Sequence, residues 1–393
     1  MYLLTKILKK ESRLIIGLMS GTSMDGLDIA LCRVRGSGRK TRLSLLQFET
    51  VPYSHETKQR ILEVFAKPMV DFMKLSNLHP WIGLLHGKLV LQCLKKWKIK
   101  PSTVDLIASH GQTVMHAPAF LHPDDPIHST FQVGDGDHVA MTTGIVTISD
   151  FRQKHLAAGG EGAPLAVYGD YLLLSDKVEN RILLNMGGIA NFTYLPAGHQ
   201  ANKVFVSDTG TGNTLIDQAV RHYFPGLHFD KDAQIAARGR VNPVLLNALK
   251  DHPFFSLPFP KTIGPELFNL PYLQRAQQKS GTDQSSPEDI LATLTRFSAE
   301  TICEAIQRVI GKKKFAIYLS GGGAHNPLLT QWIRELLSLK SLPSTDVLGI
   351  PGDAKEAILF AVLANEACAG KPIQFGKRTK IPSVTMGKIS LPV

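Results

Sequence analysis

Residues 20–28 combine hydroxyl, glycine and carboxylate groups in a pattern suited to phosphate and metal chemistry. Small residues let backbone N–H groups approach an anion closely, and oriented amides can then bind phosphate. The carboxylates Asp25 and Asp28 would repel phosphate directly, so they fit this role only with Mg²⁺ and its waters in between. An ordinary polar hairpin turn is the structural alternative.

The runs on either side of this segment predict the two strands of a β-hairpin. Residues 14–18 and 27–34 are rich in Ile, Leu and Val and short enough for buried strands. Asp25-Gly26 between them is typical of a hairpin turn, because glycine accepts the positive φ that a tight turn needs. No Gly-Lys-Ser/Thr follows, so the segment is not a Walker loop.

Asp208 is the strongest candidate for a catalytic group. It follows the predicted strand 204–207 and precedes a segment containing Gly210 and Gly212. A carboxylate held at the end of a buried strand can serve as a general base. The structural alternative is that Asp208 caps the helix predicted over residues 214–223.

Polar side chains also follow two other predicted strands. His110 and Gln112 come after one short apolar run, and Asp150 and Arg152 come after another. Because α/β folds bind ligands at the carboxyl ends of their strands, these four residues are candidates for substrate contacts. An internal ion pair is the alternative role for Arg152.

Two glycine-containing segments precede predicted helices in the first half. Residues 159–163 lead into Pro164, and a glycine-rich helix N-terminus facing a cleft favours anions. Asp135 and Asp137 precede another helix. Two aspartates there could hold a metal, but helix capping is the commoner use.

The second half repeats the order of elements in the first. Residues 181–186 and 189–195 predict a hairpin, and residues 204–207 predict a third strand followed by a helix. A later strand over residues 315–319 runs into Gly321-Gly322-Gly323, where glycine lets a flat group lie against the backbone. Strand, hairpin, strand and helix thus occur twice, which predicts a duplicated α/β fold although the two sequences differ. Residues 251–287 predict an irregular insertion.

Composition sets the outer limits. A chain of 393 residues is long enough for two domains. Its net charge of +11 is scattered and not interleaved with aromatic residues, so we expect no nucleic-acid groove. Its four cysteines are far apart, which argues against disulfides or a zinc site and favours the cytoplasm. No apolar run approaches the ~18 residues of a membrane helix, so we expect a soluble protein.

Several motifs together resemble one family. SGTSMDGLDIAL at residues 20–31 closely resembles the opening motif of the anhydro-N-acetylmuramic acid kinases, within the sugar kinase, actin and heat-shock ATPase superfamily. HGQTV, DFR with AGGEGAPL, DTGTGN, LPFPKTIGPELF and PSVT resemble family segments in the same order. The resemblance covers nearly the whole chain, and it departs from the family pattern at Met115, Lys154-His155, Glu161, Thr211 and Met386.

The resemblance implies a two-domain, actin-like ATPase fold of the ribonuclease H-like class, with ATP in a cleft between the duplicated halves. We expect domain I over residues 1–178 and domain II over residues 179–393, with a C-terminal tail that returns to domain I. It also implies ATP-dependent, hydrolytic opening of 1,6-anhydro-N-acetylmuramic acid and its phosphorylation to N-acetylmuramic acid 6-phosphate, in peptidoglycan recycling. A cytoplasmic homodimer is implied as well, with no membrane or nucleic-acid partner.

The family's functional residues transfer to matching positions. Asp208 is then the catalytic base. The implied ATP-binding residues are Gly21, Thr22, Ser23, Met24, Asp25, Gly26, Leu27, Asp28, Gly210, Gly212, Asn213, Gly321, Gly322, Gly323 and Asn326. The implied sugar-binding residues are His110, Gln112, Asp150, Arg152 and Glu356, with Arg152 meeting the lactyl carboxylate. Asp25 and Asp28 would hold Mg²⁺ through water. A surface i,i+4 pair is the alternative for Glu356, and Lys261, Thr262 and Glu266 receive no role.

Two rival functions remain at this point. Another sugar kinase of the same fold would use Asp208 to deprotonate a sugar hydroxyl directly, with no water entering the sugar. An actin-like or chaperone-like ATPase switch would bind ATP in the same way but need a large partner surface. No separate peptide-binding domain is recognisable in the sequence.

Overall fold

Two β-sheets with the same central strand order form the framework of the chain. The computed structural model describes residues 2–119, 122, 124, 126–264, 267–376 and 381–392. The chain divides into two compact units, the first formed by Met1–Leu174 with Asp353–Val393 and the second by Ser175–Gly352. Glu266 lies outside the described residues.

The sheet of the first unit is built around the predicted hairpin. Its strands are β1 Ser12–Ser20, β2 Gly26–Arg35, β3 Arg42–Pro52, β4 Leu106–Ala117, β5 Ser129–Val133, β6 Thr147–Ser149 and β11 Lys388–Ser390. The order is β11-β6-β4-β1-β2-β3, with β5 paired to β4. β1 pairs antiparallel with β2, and β2 with β3, whereas β4 runs parallel to β1.

Helices cover this sheet. They are α1 Tyr2–Leu8, α2 His55–Leu62, α3 Phe72–Lys96, α4 Gly136–Thr143, α5 Phe151–Ala157, α6 Ala166–Leu174 and α13 Lys355–Ala369. α13 packs on β1, β2 and β4. The approach is so close that a Cβ at Gly17 of β1 would lie 1.9 Å from the carbonyl oxygen of Ala357. Only glycine permits this contact, and it draws the last helix into the first unit.

A C-terminal tail that returns to domain I is among the expectations from sequence, but the limits of the two units differ from the expected ones. The first boundary falls after Leu174, close to the expected position. The expected second domain extended to the end of the chain, but the structure ends that unit at Gly352. α13 belongs to the first unit because its buried face, including Ile358 and Phe360, packs against the first sheet.

The second unit contains a smaller sheet. Its strands are β7 Arg181–Met186, β8 Ile189–Leu195, β9 Phe205–Thr211 and β10 Ala316–Ser320, in the order β10-β7-β8-β9. β7 pairs antiparallel with β8, β8 with β9, and β10 runs parallel to β7. The order β4-β1-β2-β3 of the first unit is thus repeated, which confirms the predicted duplicated α/β fold.

The helices of the second unit are α7 Thr214–Tyr223, α8 Pro243–Lys250, α9 Pro253–Ser256, α10 Leu270–Ser280, α11 Pro287–Ile310 and α12 Pro327–Leu336. The expectation of an irregular insertion over residues 251–287 is only partly right, because α9 and α10 lie within it. Phe254, Phe268 and Leu273 from this stretch are buried in the same core as α7 and α11. Among the described residues, no helix is both long and apolar enough to span a bilayer.

Candidate active site

The β1–β2 turn of the first unit exposes the predicted phosphate ligands. The side chains of Thr22 and Ser23 are exposed, and the amide of Met24 donates to the carbonyl of Gly21 over 3.2 Å. Met24 adopts a positive φ of 58°. The turn therefore presents two hydroxyl groups to solvent from a closed, hydrogen-bonded loop.

The expected role of Gly26 in this turn is wrong, because Met24 supplies the positive φ instead. Gly26 lies in β2, where a Cβ would be 2.4 Å from the carbonyl oxygen of Val51. Gly26 thus allows the hairpin to pack closely on β3. The side chain of Leu27 is fully buried in the core, so only its backbone can contact a ligand.

A buried chain of hydrogen bonds supports the turn from below. Tyr53 donates to Oγ of Ser20 over 2.8 Å, and Ser20 donates to Oε1 of Gln112 over 2.5 Å. Nε2 of Gln112 donates to the carbonyls of Gly21 and Thr113, at 3.1 and 3.0 Å. The expectation that Gln112 contacts the sugar is not supported, because its side chain is fully buried and its amide is used by the hairpin.

This chain fixes the tautomer of His86. Because Ser20 donates to Gln112 and Tyr53 donates to Ser20, the remaining proton between Tyr53 and His86 must come from Nε2 of His86, 2.8 Å away. Burial lowers the pKa of His86 to about 3, so the ring is neutral. Sequence reasoning missed Tyr53 and His86, since neither lies near the motif in the chain.

The carboxylates of the turn repel one another. Asp28 accepts a 2.6 Å hydrogen bond from Thr50. Burial raises the pKa of Asp28, and the charges of Asp353 and Asp25 raise it further while the Thr50 bond opposes the shift. Converging carboxylates suit a hydrated divalent cation. Among the described residues no set of three or more acidic, histidine or cysteine side chains could hold a metal directly, so these residues fit Mg²⁺ only through water.

Arg152 organises the second polar cluster of this unit. Its Nε donates to Nε2 of His110 over 2.9 Å, and its Nη1 donates to the carbonyl of Gly162 over 2.8 Å. Burial and the Arg152 charge hold the pKa of His110 well below its usual range. Neither acceptor is a carboxylate, so these two hydrogen bonds do not form the internal ion pair considered as the alternative role of Arg152. His110 is buried and orients Arg152.

Glu356 and Asp150 lie at the ends of helices in the same unit. Glu356 is in the first turn of α13, and its neighbours four positions away are Gly352 and Phe360. Neither neighbour can form an ion pair, which excludes the surface-pair alternative. Although Glu356 is exposed, nearby protein atoms desolvate its carboxylate and raise its pKa, which the Arg152 charge opposes.

Asp150 precedes α5 in a left-handed conformation, with φ 55° and ψ 37°, and its side chain makes no capping bond. Lys388 lies 3.1 Å from its Oδ2. A non-glycine residue in this region is uncommon and often marks a functional site. Asp135 behaves differently, because its side chain accepts from the amide of His138 and caps α4, as the capping interpretation predicts.

The glycine-rich segment at residues 159–163 rests on His155, one of the departures from the family pattern. Nδ1 of His155 accepts a 3.0 Å hydrogen bond from the amide of Gly162. Burial and the Arg152 charge lower the pKa of His155 to about 4, so it stays a neutral acceptor. α6 begins at Ala166, two positions after Pro164.

In the second unit, Asp208 lies in the middle of β9 and not at the end of a strand as the sequence predicts, because the strand continues to Thr211. Its Oδ2 accepts a 2.8 Å hydrogen bond from the amide of Ile263, and its own amide donates to the carbonyl of Lys261 over 2.9 Å. Burial raises the pKa of Asp208 to about 6, which the Ile263 amide and the Lys261 charge oppose. The capping alternative is wrong, because the N-cap of α7 is Asn213.

The predicted nucleotide segments of this unit lie around the β7–β8 turn. The amides of Gly212 and Asn213 donate to the carbonyls of Gly188 and Gly187, over 2.8 and 2.9 Å. A Cβ at Gly321, whose φ is 82°, would lie 2.7 Å from Oδ1 of Asn185. The structure therefore brings the segments after β9 and β10 to the same turn.

The other members of these segments have different surroundings. Gly210 lies within β9 at a φ of 150°. Gly322 and Gly323 begin a short 3-10 turn before α12. Asn326 caps α12 by accepting from the amide of Leu329 over 2.9 Å. The side-chain oxygen of Asn326 therefore already accepts a hydrogen bond from the helix. The sequence-based expectation of an ATP contact gives no sign of this.

Comparison with known proteins gives matches along the chain. The family model described as anhydro-N-acetylmuramic acid kinase matches residues 13–389. An anhydro-N-acetylmuramic acid kinase from Pseudoalteromonas atlantica is 55% identical over 98% of this chain and 97% of its own, and one from Pseudoalteromonas translucida is 52% identical over 97% and 96%. A solved structure, the activator of the 2-hydroxyisocaproyl-CoA dehydratase from Clostridium difficile with bound ADPNP, is 10% identical with a TM-score of 0.36, over 91% of this chain and 96% of that one.

Proposed function

This chain belongs to the anhydro-N-acetylmuramic acid kinase family, and we propose that Asp208 is the general base of its reaction. The enzyme converts 1,6-anhydro-N-acetylmuramic acid, water and ATP into N-acetylmuramic acid 6-phosphate and ADP. One observation carries the proposal for Asp208. Its half-buried carboxylate lies within β9, caps no helix and has a pKa raised to about 6, near the operating pH that favours a general base.

The proposed step couples ring opening to phosphoryl transfer. A water oxygen attacks the anomeric carbon while Asp208 takes a proton from that water. The bond from the anomeric carbon to the six-oxygen breaks, and its electron pair stays on that oxygen. The six-oxygen then bonds to the γ-phosphorus as the bond to ADP breaks. All atoms of the water end in the sugar product or on the base.

Each unit carries candidate phosphate contacts. Thr22 and Ser23 offer exposed hydroxyls in the first unit. In the second unit the amides of Gly212 and Asn213 already donate to the carbonyls of Gly188 and Gly187, so this segment would contact phosphate through other groups. Asp25 and Asp28 would hold Mg²⁺ through its waters, and the ion would supply charge neutralisation at the transferring phosphoryl group. Asn326, already a helix cap, would contact nucleotide only through its side-chain amide nitrogen.

The sugar would be recognised in the first unit. Arg152 has guanidinium donors beyond those used by His110 and Gly162, and a guanidinium pairs well with the lactyl carboxylate. Glu356, whose carboxylate lies within the field of Arg152, would accept from a sugar hydroxyl or from water. Asp150 would contact the same substrate from its strained position before α5.

Heavy-oxygen water tests the mechanism. The label is expected at the anomeric hydroxyl of the product and not in the phosphate, and the product must be read at once because free sugars exchange this oxygen. A kinase that only deprotonates a hydroxyl would leave the product unlabelled. An ATPase switch would place the label in inorganic phosphate. Either result would overturn the role of Asp208 as activator of water.

The family resemblance also supports a homodimer located in the cytoplasm. Sedimentation of the purified chain at micromolar concentration checks the first point, with a mass of twice 43.1 kDa expected. Fractionation of cells that express the tagged chain checks the second. A monomer at all concentrations, or recovery with the membrane fraction, would contradict these assignments.

A further inference from the structure

Lys261 is a buried cation bound by neutral groups. Its side chain is 7% exposed, and Nζ donates to the carbonyls of Phe254 and Phe255 over 2.8 and 3.3 Å. Three rings surround the ammonium group, with centroids 4.2, 5.1 and 5.7 Å away at Phe254, Phe259 and Phe255. We call these three residues the aromatic cage. A desolvated ammonium over ring faces gains substantial cation–π stabilisation.

The backbone of the same lysine is hydrogen-bonded to the middle of β9. The amide of Lys261 donates to Oγ of Ser207 over 3.0 Å, and its carbonyl accepts from the amide of Asp208 over 2.9 Å. Two residues later, the amide of Ile263 donates to the carboxylate of Asp208. Residues 261–263 therefore hold both the backbone and the side chain of Asp208.

The charge of Lys261 also acts on that carboxylate. Burial raises the pKa of Asp208, and the Lys261 charge opposes the rise together with the Ile263 amide. Burial lowers the pKa of Lys261 to about 8, with repulsion from Arg308 adding to the shift and Asp208 opposing it. Besides the mutual effect of Asp208 and Lys261, the charge of Arg308 acts on Lys261.

We propose that Lys261 is a positioning residue for Asp208, whose caged ammonium anchors residues 261–263 beside β9 and favours the ionised carboxylate. The inference rests on the proposed function of Asp208. Lys261 does not itself reach a substrate, since its ammonium group is enclosed by the cage. Its effect on the reaction passes through the carboxylate that it orients and stabilises.

Arg308 provides a matched control. It donates to the carbonyls of Phe255 and Leu257 and lies 5.0 Å from the ring centroid of Phe259. Arg308 thus anchors the same loop. Of these two cations, Lys261 but not Arg308 affects the pKa of Asp208. An effect of loop anchoring alone would appear in both variants, whereas an effect of charge would appear only at Lys261.

The test is the pH dependence of kcat/KM for purified full-length variants. Lys261→Gln keeps an N–H donor for the two carbonyls but removes the charge. We expect the acid-side midpoint of its profile to rise, since the charge of Lys261 favours the ionised form of the Asp208 carboxylate. Lys261→Arg should restore most of the wild-type midpoint, and Arg308→Met should keep it.

Two results would overturn the inference: an unchanged midpoint in Lys261→Gln, or an equal shift in Arg308→Met. If Lys261→Gln does not fold, Lys261→Met serves in its place, with thermal unfolding as the check. Asp208→Asn, measured in parallel, separates the two proposals. Near-normal activity in Asp208→Asn would contradict the role of Asp208 as general base. An inactive Asp208→Asn together with an unshifted pH midpoint in Lys261→Gln would contradict only the role of Lys261.

Discussion

Nε of Arg152 lies 2.9 Å from Nε2 of His110, a hydrogen bond between a cation and a neutral imidazole. Because Nε2 accepts, it carries no proton, and burial beside Arg152 keeps the pKa of His110 low. His110 therefore cannot act as an acid in the neutral range. Its role is to fix the direction of the guanidinium, which makes Arg152 the residue to change.

Arg152→Met should raise KM for the anhydro-sugar by about 10- to 100-fold, because one charge-assisted hydrogen bond contributes roughly 1.5–3 kcal/mol. KM for ATP should stay within about twofold. Steady-state kinetics with each substrate varied in turn measures both. Lys96→Met, which removes an exposed cation paired with Glu49, is the control for loss of positive charge. Equal effects on both substrates would contradict a sugar-specific role.

The raised pKa of Asp208 predicts an acid limb in the rate profile. A general base works when unprotonated, so kcat/KM should increase as pH rises through about 6 and level off above it. Asp208→Asn should lose ~10²–10⁴-fold in kcat and retain nucleotide binding. A profile that is flat from pH 5 to 8 would contradict the assignment.

The same shift has a consequence for stability. Between the pKa of the unfolded chain, about 4, and that of the folded chain, about 6, the unfolded chain loses its proton first, so stability falls as pH rises through this window. Asp208→Asn should therefore be more stable than the wild type at pH 7.5, by roughly 1–2 kcal/mol after allowance for partial exposure.

At pH 4 most of the difference in stability should disappear, because Asp208 is then protonated in the folded chain and about half protonated in the unfolded chain. Urea unfolding at the two pH values checks this. Asp217→Asn is the matched control, since burial also raises the pKa of Asp217 to about 6. It should gain stability in the same window without loss of activity. A destabilised Asp208→Asn at pH 7.5 would show that the ionised carboxylate is not strained.

The exposed hydroxyls of the β1–β2 turn can be tested together. The double variant Thr22→Val, Ser23→Val should weaken ATP binding by about tenfold or more. Each lost hydrogen bond contributes roughly 0.5–1.5 kcal/mol, and a bond to a charged acceptor contributes more. The free energy of unfolding should be unchanged because both side chains are exposed. Titration calorimetry measures the affinity, with Ser37→Val in the β2–β3 connection as control. Unchanged affinity would remove this turn from the nucleotide site.

The buried chain under the same turn predicts a different response. Tyr53→Phe leaves the Nε2 proton of His86 without its acceptor, which should cost about 1–3 kcal/mol of unfolding free energy. Tyr194→Phe is the control, because the residue as a whole is as buried as Tyr53 but its hydroxyl makes only a 3.4 Å hydrogen bond to Asn180. Denaturant midpoints compare the two variants. Equal losses of unfolding free energy in the two variants would show that the buried hydrogen bonds of Tyr53 add no stability beyond packing.

Much of the fold follows from local sequence patterns. The hairpin and the helix Thr214–Tyr223 occur as predicted, because the apolar spacing that predicts them is a local signal. The close packing of Gly26 on Val51 is not local, and the turn preference of Asp-Gly gives no sign of it. α13 returns to the first unit through contacts that no linear pattern records.

The candidate site is predictable to a similar depth. Motifs identify Asp208 and the glycine segments, since a small number of adjacent residues defines each. They do not reveal which polar groups are already satisfied, as for Gln112 and Asn326. They also miss Lys261, whose relation to Asp208 depends on a loop that crosses beside β9 and on three phenylalanine rings.

The contact between Gly17 and Ala357 has a consequence for biosynthesis. β1 leaves the ribosome long before α13, so the face of the first sheet that α13 covers stays uncovered while the residues between them are synthesised. The second unit, Ser175–Gly352, is continuous and can fold as soon as it has emerged, since domains generally fold as units. Nascent chains stalled before Asp353 would therefore carry a finished second unit and an apolar surface on β1 that chaperones or proteases recognise.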